Sequence, residues 1–361
     1  MARVLINLPA RAKRGEIIEI KTLIAHPMET GYRLGPTGAA IPRDIINRFL
    51  CTYNGEEVFR AALFPGNRRE PVHYLLHRRD GERRDRLQLD RRPRRDADRG
   101  QTNHRRMRVL VLAVVAATGA AAAAEIAPGD RRSGYDFAGP ESRAMQDDDT
   151  ANPGMLGVLQ GETLWATKAG ASGRSCADCH GDARTSMKGV AARYPAFEPA
   201  LAQPLDLEGR INWCRREHQG APPFAGESED LVALTAFVAY QSRGLPIAVQ
   251  ENAELQPFLD LGKELFHRRQ GQLNLSCSQC HDDNWGKRLA GAVIPQAHPT
   301  GYPVYRLEWQ SLGSLQRRLR NCISGMRAEV PDYGSPEYVN LELFLMQRAR
   351  GMPMESPAVR P

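Results

Sequence analysis

Two six-residue stretches constrain this chain more than anything else in it: Ser175-Cys176-Ala177-Asp178-Cys179-His180 and Ser276-Cys277-Ser278-Gln279-Cys280-His281. Each holds a C-x-x-C-H, the pattern that attaches c-type haem. Two thiols three residues apart on one helical turn reach the vinyl groups of a single porphyrin, and the adjacent histidine points at its iron. The spacing predicts two haem c groups, bound covalently through Cys176 and Cys179 and through Cys277 and Cys280, with His180 and His281 as axial ligands. Zinc or a disulfide uses the same spacing, but a doubled motif behind an export-like segment favours haem.

The motifs sit inside a longer repeat. Gly161-Glu162-Thr163-Leu164-Trp165 precedes Cys176 at the distance by which Gly262-Lys263-Glu264-Leu265-Phe266 precedes Cys277. A third cysteine follows each motif: Leu207, Arg210, Ile211 and Cys214 stand in the register of Leu315, Arg318, Leu319 and Cys322. Helices are predicted over 157–168, 228–244 and 335–351, with Ser228 and Ser335 as N-caps and a glycine followed by proline as the stop. The fold class is therefore mainly α. Two tandem c-type cytochrome domains, 151–250 and 251–361, follow an incomplete β-sandwich fragment (immunoglobulin-like by family resemblance) and a disordered basic linker.

The first third reads differently. Residues 17–24 and 49–53 are strand-like, with Asn54-Gly55 turning a hairpin into Val58-Phe59. The net charge of +7 looks like a nucleic-acid binder's, yet fourteen arginines against seven acids in 66–106 supply all of it. The rest of the chain is neutral, so nucleic acid is not expected as a partner. That stretch has almost no apolar periodicity and reads as a disordered linker, or as out-of-frame text between two genes, with the native start at Met107. Residues 107–124 form a secretory signal, a short apolar run behind a basic flank ending in small residues. It is too short for a convincing membrane span and implies a periplasmic protein without stable membrane insertion. Residues 125–150 are polar and are expected not to pack.

The sixth ligand of each iron decides function. Met187, Met326, Met346, His218 and His298 are available, but the residues that repeat are Cys214 and Cys322. Either they bond to each other as a disulfide, or each completes its own iron as a thiolate. A thiolate lowers the potential and makes a poor electron relay unless the sulfur itself does chemistry.

Lys13 to Gly31, and 45–49 leading into 51–59, resemble the start of SoxZ, the small subunit of a sulfur carrier complex; the resemblance stops at Pro65. The region 154–361 resembles SoxA, through Trp285-Gly286-Lys287, Tyr302-Pro303-Val304-Tyr305-Arg306, Arg320-Asn321-Cys322, Arg327-Ala328-Glu329 and Leu341-Glu342-Leu343-Phe344-Leu345. The resemblance implies a thiosulfate-conjugating sulfurtransferase with Cys322 as catalytic residue and persulfide, and Arg318 binding substrate. Its partners would be a SoxX-like monohaem cytochrome, the SoxYZ carrier and thiosulfate. Lys287, Arg320 and Arg327 are expected to add positive potential. The other reading is a dihaem electron-transfer protein in which Cys322 is an inert ligand.

Overall fold

The computed structural model describes residues 126–289 and 291–361, and before them 3–7, 21–25, 42, 44–46, 48–53, 56–62 and 74–75. In the first third, β1 (Arg3–Asn7) pairs antiparallel with β2 (Lys21–Ala25), and β3 (Arg48–Tyr53) pairs antiparallel with β4 (Glu56–Ala62), the predicted turn at 54–55 lying outside the described residues. A short β5 (Tyr74–Leu75) adds to the free edge of β2. It falls inside the stretch read as patternless, on its one apolar, strand-prone piece. Residues 17–20 of the predicted strand and the signal at 107–124 lie outside the described residues, as does the rest of the arginine-rich run.

From residue 126 the chain is helical. After α1 (Pro140–Asp147), the first unit runs α2 (Met155–Ala166), α3 (Cys176–His180), α4 (Ala183–Ser186), a hairpin of β6 (Ala196–Glu198) and β7 (Gln203–Leu205), α5 (Leu207–Cys214) and α6 (Glu229–Tyr240). A π-helical turn, Arg215–Gln219, continues α5 directly after Cys214. The second unit repeats the plan. It has α7 (Gln256–His267), α8 (Cys277–His281), a small hairpin of β8 (Arg288–Leu289) and β9 (Ala292–Val293), then β10 (Val304–Arg306) and β11 (Ser311–Gly313), α9 (Leu315–Gly325) and α10 (Pro336–Arg348). Strand β12 (Ala358–Arg360) closes the chain, parallel to β10.

In each unit the helix before the haem motif crosses the closing helix at a glycine. A Cβ on Gly161 would lie 2.2 Å from the Ala233 carbonyl oxygen, and one on Gly262 would lie 2.0 Å from that of Asn340. Backbones so close pack only where one residue lacks a side chain. The closing helices are capped as expected, by Ser228 accepting from Leu231 N and Ser335 accepting from Tyr338 N.

The two units join around a local twofold. The segment after α6 runs antiparallel to the one after α10. Gly244 N donates to Met354 O at 2.8 Å and Gly351 N to Ile247 O at 2.9 Å, while Ile247 N donates to Met352 O and Met354 N to Leu245 O, both at 2.9 Å. Ile247, Val249, Leu255, Leu343, Met346 and Met354 fill the core between them.

The lead-in packs, contrary to expectation. Gln146 is buried and its side-chain oxygen accepts from Val359 N at 3.1 Å. Arg132 N donates to Gln296 Oε1 at 2.6 Å, and Ser133 Oγ to Glu355 Oε1 at 2.5 Å. Polarity concealed this because the buried polar groups are hydrogen-bonded to distant segments.

Candidate haem sites

Each haem motif is a single helical turn begun by a capping box. Ser175 accepts from Asp178 N while the Asp178 side chain accepts from Ser175 N; Ser276 and Gln279 exchange the same pair of bonds. The reciprocal bonds fix the turn, and the turn sets both cysteines and the histidine on it. In the second unit Cys277 packs beside a cluster of Phe266, Leu315, Leu341, Phe344 and Leu345. In the first, Cys176 borders one built on Trp165, Leu234 and Phe237. None of the six motif and third cysteines is in a disulfide.

The third cysteines return to their own motifs. Burial pushes the Cys277 thiol up to about 12, and the nearby Cys322 and Cys280 add to it. Burial also raises Cys176, with Cys214 as the next cause. Cys214 and Cys322 thus each lie close enough to their own C-x-x-C pair for the charges to interact. Arg318 and Cys322 lie one turn apart on α9, as Arg210 and Cys214 do on α5.

The donor set fits a haem. His281 Nδ1 lies 2.6 Å from Pro295 O. A carbonyl only accepts, so Nδ1 carries the proton and Nε2 is left with a free lone pair, the form a metal takes. Burial lowers the His281 pKa, which keeps the ring neutral. Behind it, Asp282 and Arg348 form an ion pair at 2.7 Å, both only about 5–6 % exposed. His180 is more exposed and faces the Trp165 ring at 5.7 Å. Among the described residues no three His, Cys, Asp or Glu side chains converge to hold a bare metal ion. A macrocycle asks of the protein only two thiols and axial donors. A cavity of about 970 Å³ lined by Leu265, Ile323, Arg327, Tyr338 and Leu341 opens in the second unit.

Met187 packs on the same cluster as Cys176, and most of the other candidates fall elsewhere. Met326 and Met346 are buried in separate apolar clusters. His298 Nδ1 meets Arg132 O at 2.8 Å, and burial lowers its pKa to about 4. His218 packs edge-on to Trp213. Arg320 donates to Pro331 O and covers the Tyr333 ring, so it is a clamp on the following loop. Lys287 is exposed and donates to Asn284 Oδ1 at 2.8 Å. Tyr302 and Arg306, which the sequence pattern alone does not mark as site residues, also lie here. Tyr302 is half-buried, and its burial raises its pKa, while the Arg318 and Arg306 charges act the other way and Cys322 adds to the rise.

Paired helical units, each with a capped C-x-x-C-H turn and a crossing of its first and last helices, define a c-type cytochrome. A family model described as "SoxA/TsdA, cytochrome c domain" matches residues 160–247 and 261–354. A second, described as "Sulphur oxidation protein SoxZ", matches residues 6–102, past Pro65 and into the arginine-rich run. The L-cysteine S-thiosulfotransferase subunit SoxA of Pseudaminobacter salicylatoxidans is 42% identical over 229 residues, 63% of this chain and 80% of that protein. The same subunit from Rhodovulum sulfidophilum is 35% identical over 229 residues, with the same coverage of 63% and 80%. The crystal structure of SoxXA from P. pantotrophus matches with a TM-score of 0.62 at 31% identity, covering 64% of this chain and 87% of that one. The chain belongs to the SoxA family, whose cytochrome c domains imply haem c. No helix among the described residues is long and apolar enough to cross a membrane.

Proposed function

We propose that this chain is the catalytic subunit of an L-cysteine S-thiosulfotransferase, joining thiosulfate to a cysteine of a SoxY-type carrier. The outer sulfur of thiosulfate forms a sulfur–sulfur bond with the carrier thiol, the thiol proton goes to solvent, and two electrons leave. Haem, when bound, supplies an acceptor that takes them one at a time and is emptied in between. One haem c would be held by Cys176, Cys179, His180 and Cys214. The other would be held by Cys277, Cys280, His281 and Cys322.

Cys322, in persulfide form, is the catalytic sulfur. Arg318, one turn earlier on α9, presents a planar fork of donors to the sulfonate oxygens. The observation that carries this reading is their pairing: a thiol brought back to its own haem motif, beside a guanidinium with no hydrogen-bond or ion-pair partner among the described residues. A SoxX-like monohaem cytochrome takes the electrons onward, a role supported by the likeness to the chain in the SoxXA crystal structure, and SoxYZ presents the thiol. The apolar run at 107–124 acts as an export signal and places the protein in the periplasm, where a carrier-dependent sulfur oxidation fits c-type haem.

The test is Cys322→Ala in the complex with its SoxX-type partner, assayed for conjugation of thiosulfate to purified carrier. Loss of conjugation with both haems in place is expected. Full conjugation by the variant would leave only a dihaem electron carrier.

A further inference from the structure

The two units correspond residue by residue from Tyr194 to Cys214 and from Tyr302 to Cys322, at one constant offset. Both stretches begin Tyr-Pro, and both hairpins turn through a residue with positive φ, Ala202 at 50° and Gln310 at 52°. The registers coincide, with Ala196 opposite Leu205 and Val304 opposite Gly313. On that register Glu198 and Arg306 hold the same place with opposite charge.

In the first unit the acid closes the site. Glu198 Oε2 lies 2.5 Å from Arg210 Nη2, and its other oxygen accepts from Ala200 N at 3.0 Å. Arg210 Nε donates to Tyr194 Oη at 3.1 Å, and its guanidinium lies over Trp213 at 5.0 Å. That arginine is fully engaged by protein groups.

In the second unit the equivalent position carries a cation, and the one acid close to it, Glu308, is half exposed and pairs with Arg306, with no ion pair to Arg318 among the described residues. The Arg318 guanidinium has no hydrogen-bond or ion-pair partner among the described residues, and its charge acts on Arg306. The Arg306 side chain is 13% exposed. Its Nε is buried without a hydrogen bond although a Glu308 oxygen lies 2.9 Å away, off the N–H direction. Its guanidinium lies 5.3 Å over the Trp309 ring, and it senses Tyr302 and Cys322 as well as Arg318. The two guanidinium charges repel; Glu308, 49% exposed, offsets only Arg306, and an anion joining both would relieve the repulsion.

We propose that Arg306 is the second guanidinium of an anion site at Cys322, gripping thiosulfate together with Arg318, while Glu198 closes the equivalent place at Cys214. One inverted charge thereby selects which unit admits an inorganic sulfur anion. This rests on the thiosulfate reading above. The same charge chemistry would hold a haem propionate, so the test separates the two sources.

Holoprotein variants Arg306→Gln, Arg306→Lys and Glu198→Gln are titrated calorimetrically with thiosulfate and with unreactive sulfate. Haem content and midpoint potential are measured in parallel, and KM is determined separately for thiosulfate and carrier. Loss of one charge-assisted contact predicts about 10–100-fold weaker anion binding in Arg306→Gln. The thiosulfate KM should rise by the same factor, the carrier KM should stay within about twofold, and the lysine variant should recover part of the loss. Glu198→Gln should add a second, weaker sulfate site. Unchanged anion affinity in Arg306→Gln overturns the proposal. So does unchanged affinity with a shifted haem content or potential, which would assign Arg306 to the propionate. A Glu198→Gln protein with no added site overturns the closure by Glu198. A wild type that binds thiosulfate through Arg306 but conjugates none would overturn the functional reading and leave the anion site standing.

Discussion

A Cβ on Gly262 would stand 2.0 Å from the carbonyl oxygen of Asn340, closer than real side-chain contacts come. The crossing of α7 and α10 is therefore set by backbone touching backbone, and the haem motif on α8 hangs from the end of α7. Gly262→Ala has no flexible side chain to displace, so the helices must separate. A loss of about 1–3 kcal/mol or more is expected, read by denaturant unfolding of the holoprotein. Gly129→Ala, where nothing lies within 4 Å, should change little. Equal stability of the two variants would contradict the crossing as described.

Arg348 and Asp282 bury an ion pair directly behind His281, with the guanidinium 4.8 Å over the Phe266 ring. Removing one partner strands a charge in an apolar setting. Arg348→Met is expected to cost about 3–5 kcal/mol, whereas the double variant with Asp282→Asn should recover much of that loss. A thermodynamic cycle from urea melts measures the coupling. Additive losses would mean the two charges are not a pair.

The haem motifs, the third cysteines and the closing helices are all legible in the sequence because covalent attachment fixes a spacing and helices repeat a period. Even Arg318 is visible there, since α9 proves helical from Leu315 to Gly325 and sets it one turn before Cys322. Arg306 is not. Strands of three residues such as β6 and β10 are too short to show alternation. The repeat also draws attention to positions that agree, whereas Glu198 and Arg306 matter because they differ. The packing of 126–150 is equally hidden: Gln146 finds its partners at Val359 and Arg360, at the opposite end of the described chain.

Ser276 accepts from Gln279 N at 3.4 Å and Gln279 Oε1 accepts from Ser276 N at 2.9 Å, which closes the turn that carries both attachment thiols. Ser276→Ala removes one half of that box. About 1 kcal/mol of stability should go with it, along with slower haem attachment at the second motif. Ser175→Ala should act the same way at the first. Pulse-labelled haem incorporation in an export-competent strain reads the second effect; unchanged attachment in both variants would show that the box does not organise the motif before haem arrives.

Between the two units a cavity of about 50 Å³ is lined by Asp206, Glu208 and Glu342, with no basic side chain among the lining residues. Burial raises all three carboxyls. Asp206 and Glu342 add to the rise at Glu208, as does Glu227, and Asp206 adds to that at Glu342; hydrogen bonds from Gly209 N and Gln316 partly restrain Asp206. The Tyr194, Tyr302, Thr235 and Ser314 hydroxyls share the lining. A carboxyl whose folded value lies above its unfolded value binds more protons when folded. Its stabilising contribution is complete below the ordinary glutamate value of 4.5 and fades as pH rises through the raised folded value. Glu342→Gln supplies a permanently neutral side chain of the same shape. It should match wild type near pH 4 and exceed it at pH 8, by about 1.4 kcal/mol for each unit of the upward shift. Unfolding free energies measured from pH 4 to 8 test this. Parallel curves for variant and wild type would show that Glu342 is ionised in the folded protein, and that the joint between the units carries no proton there.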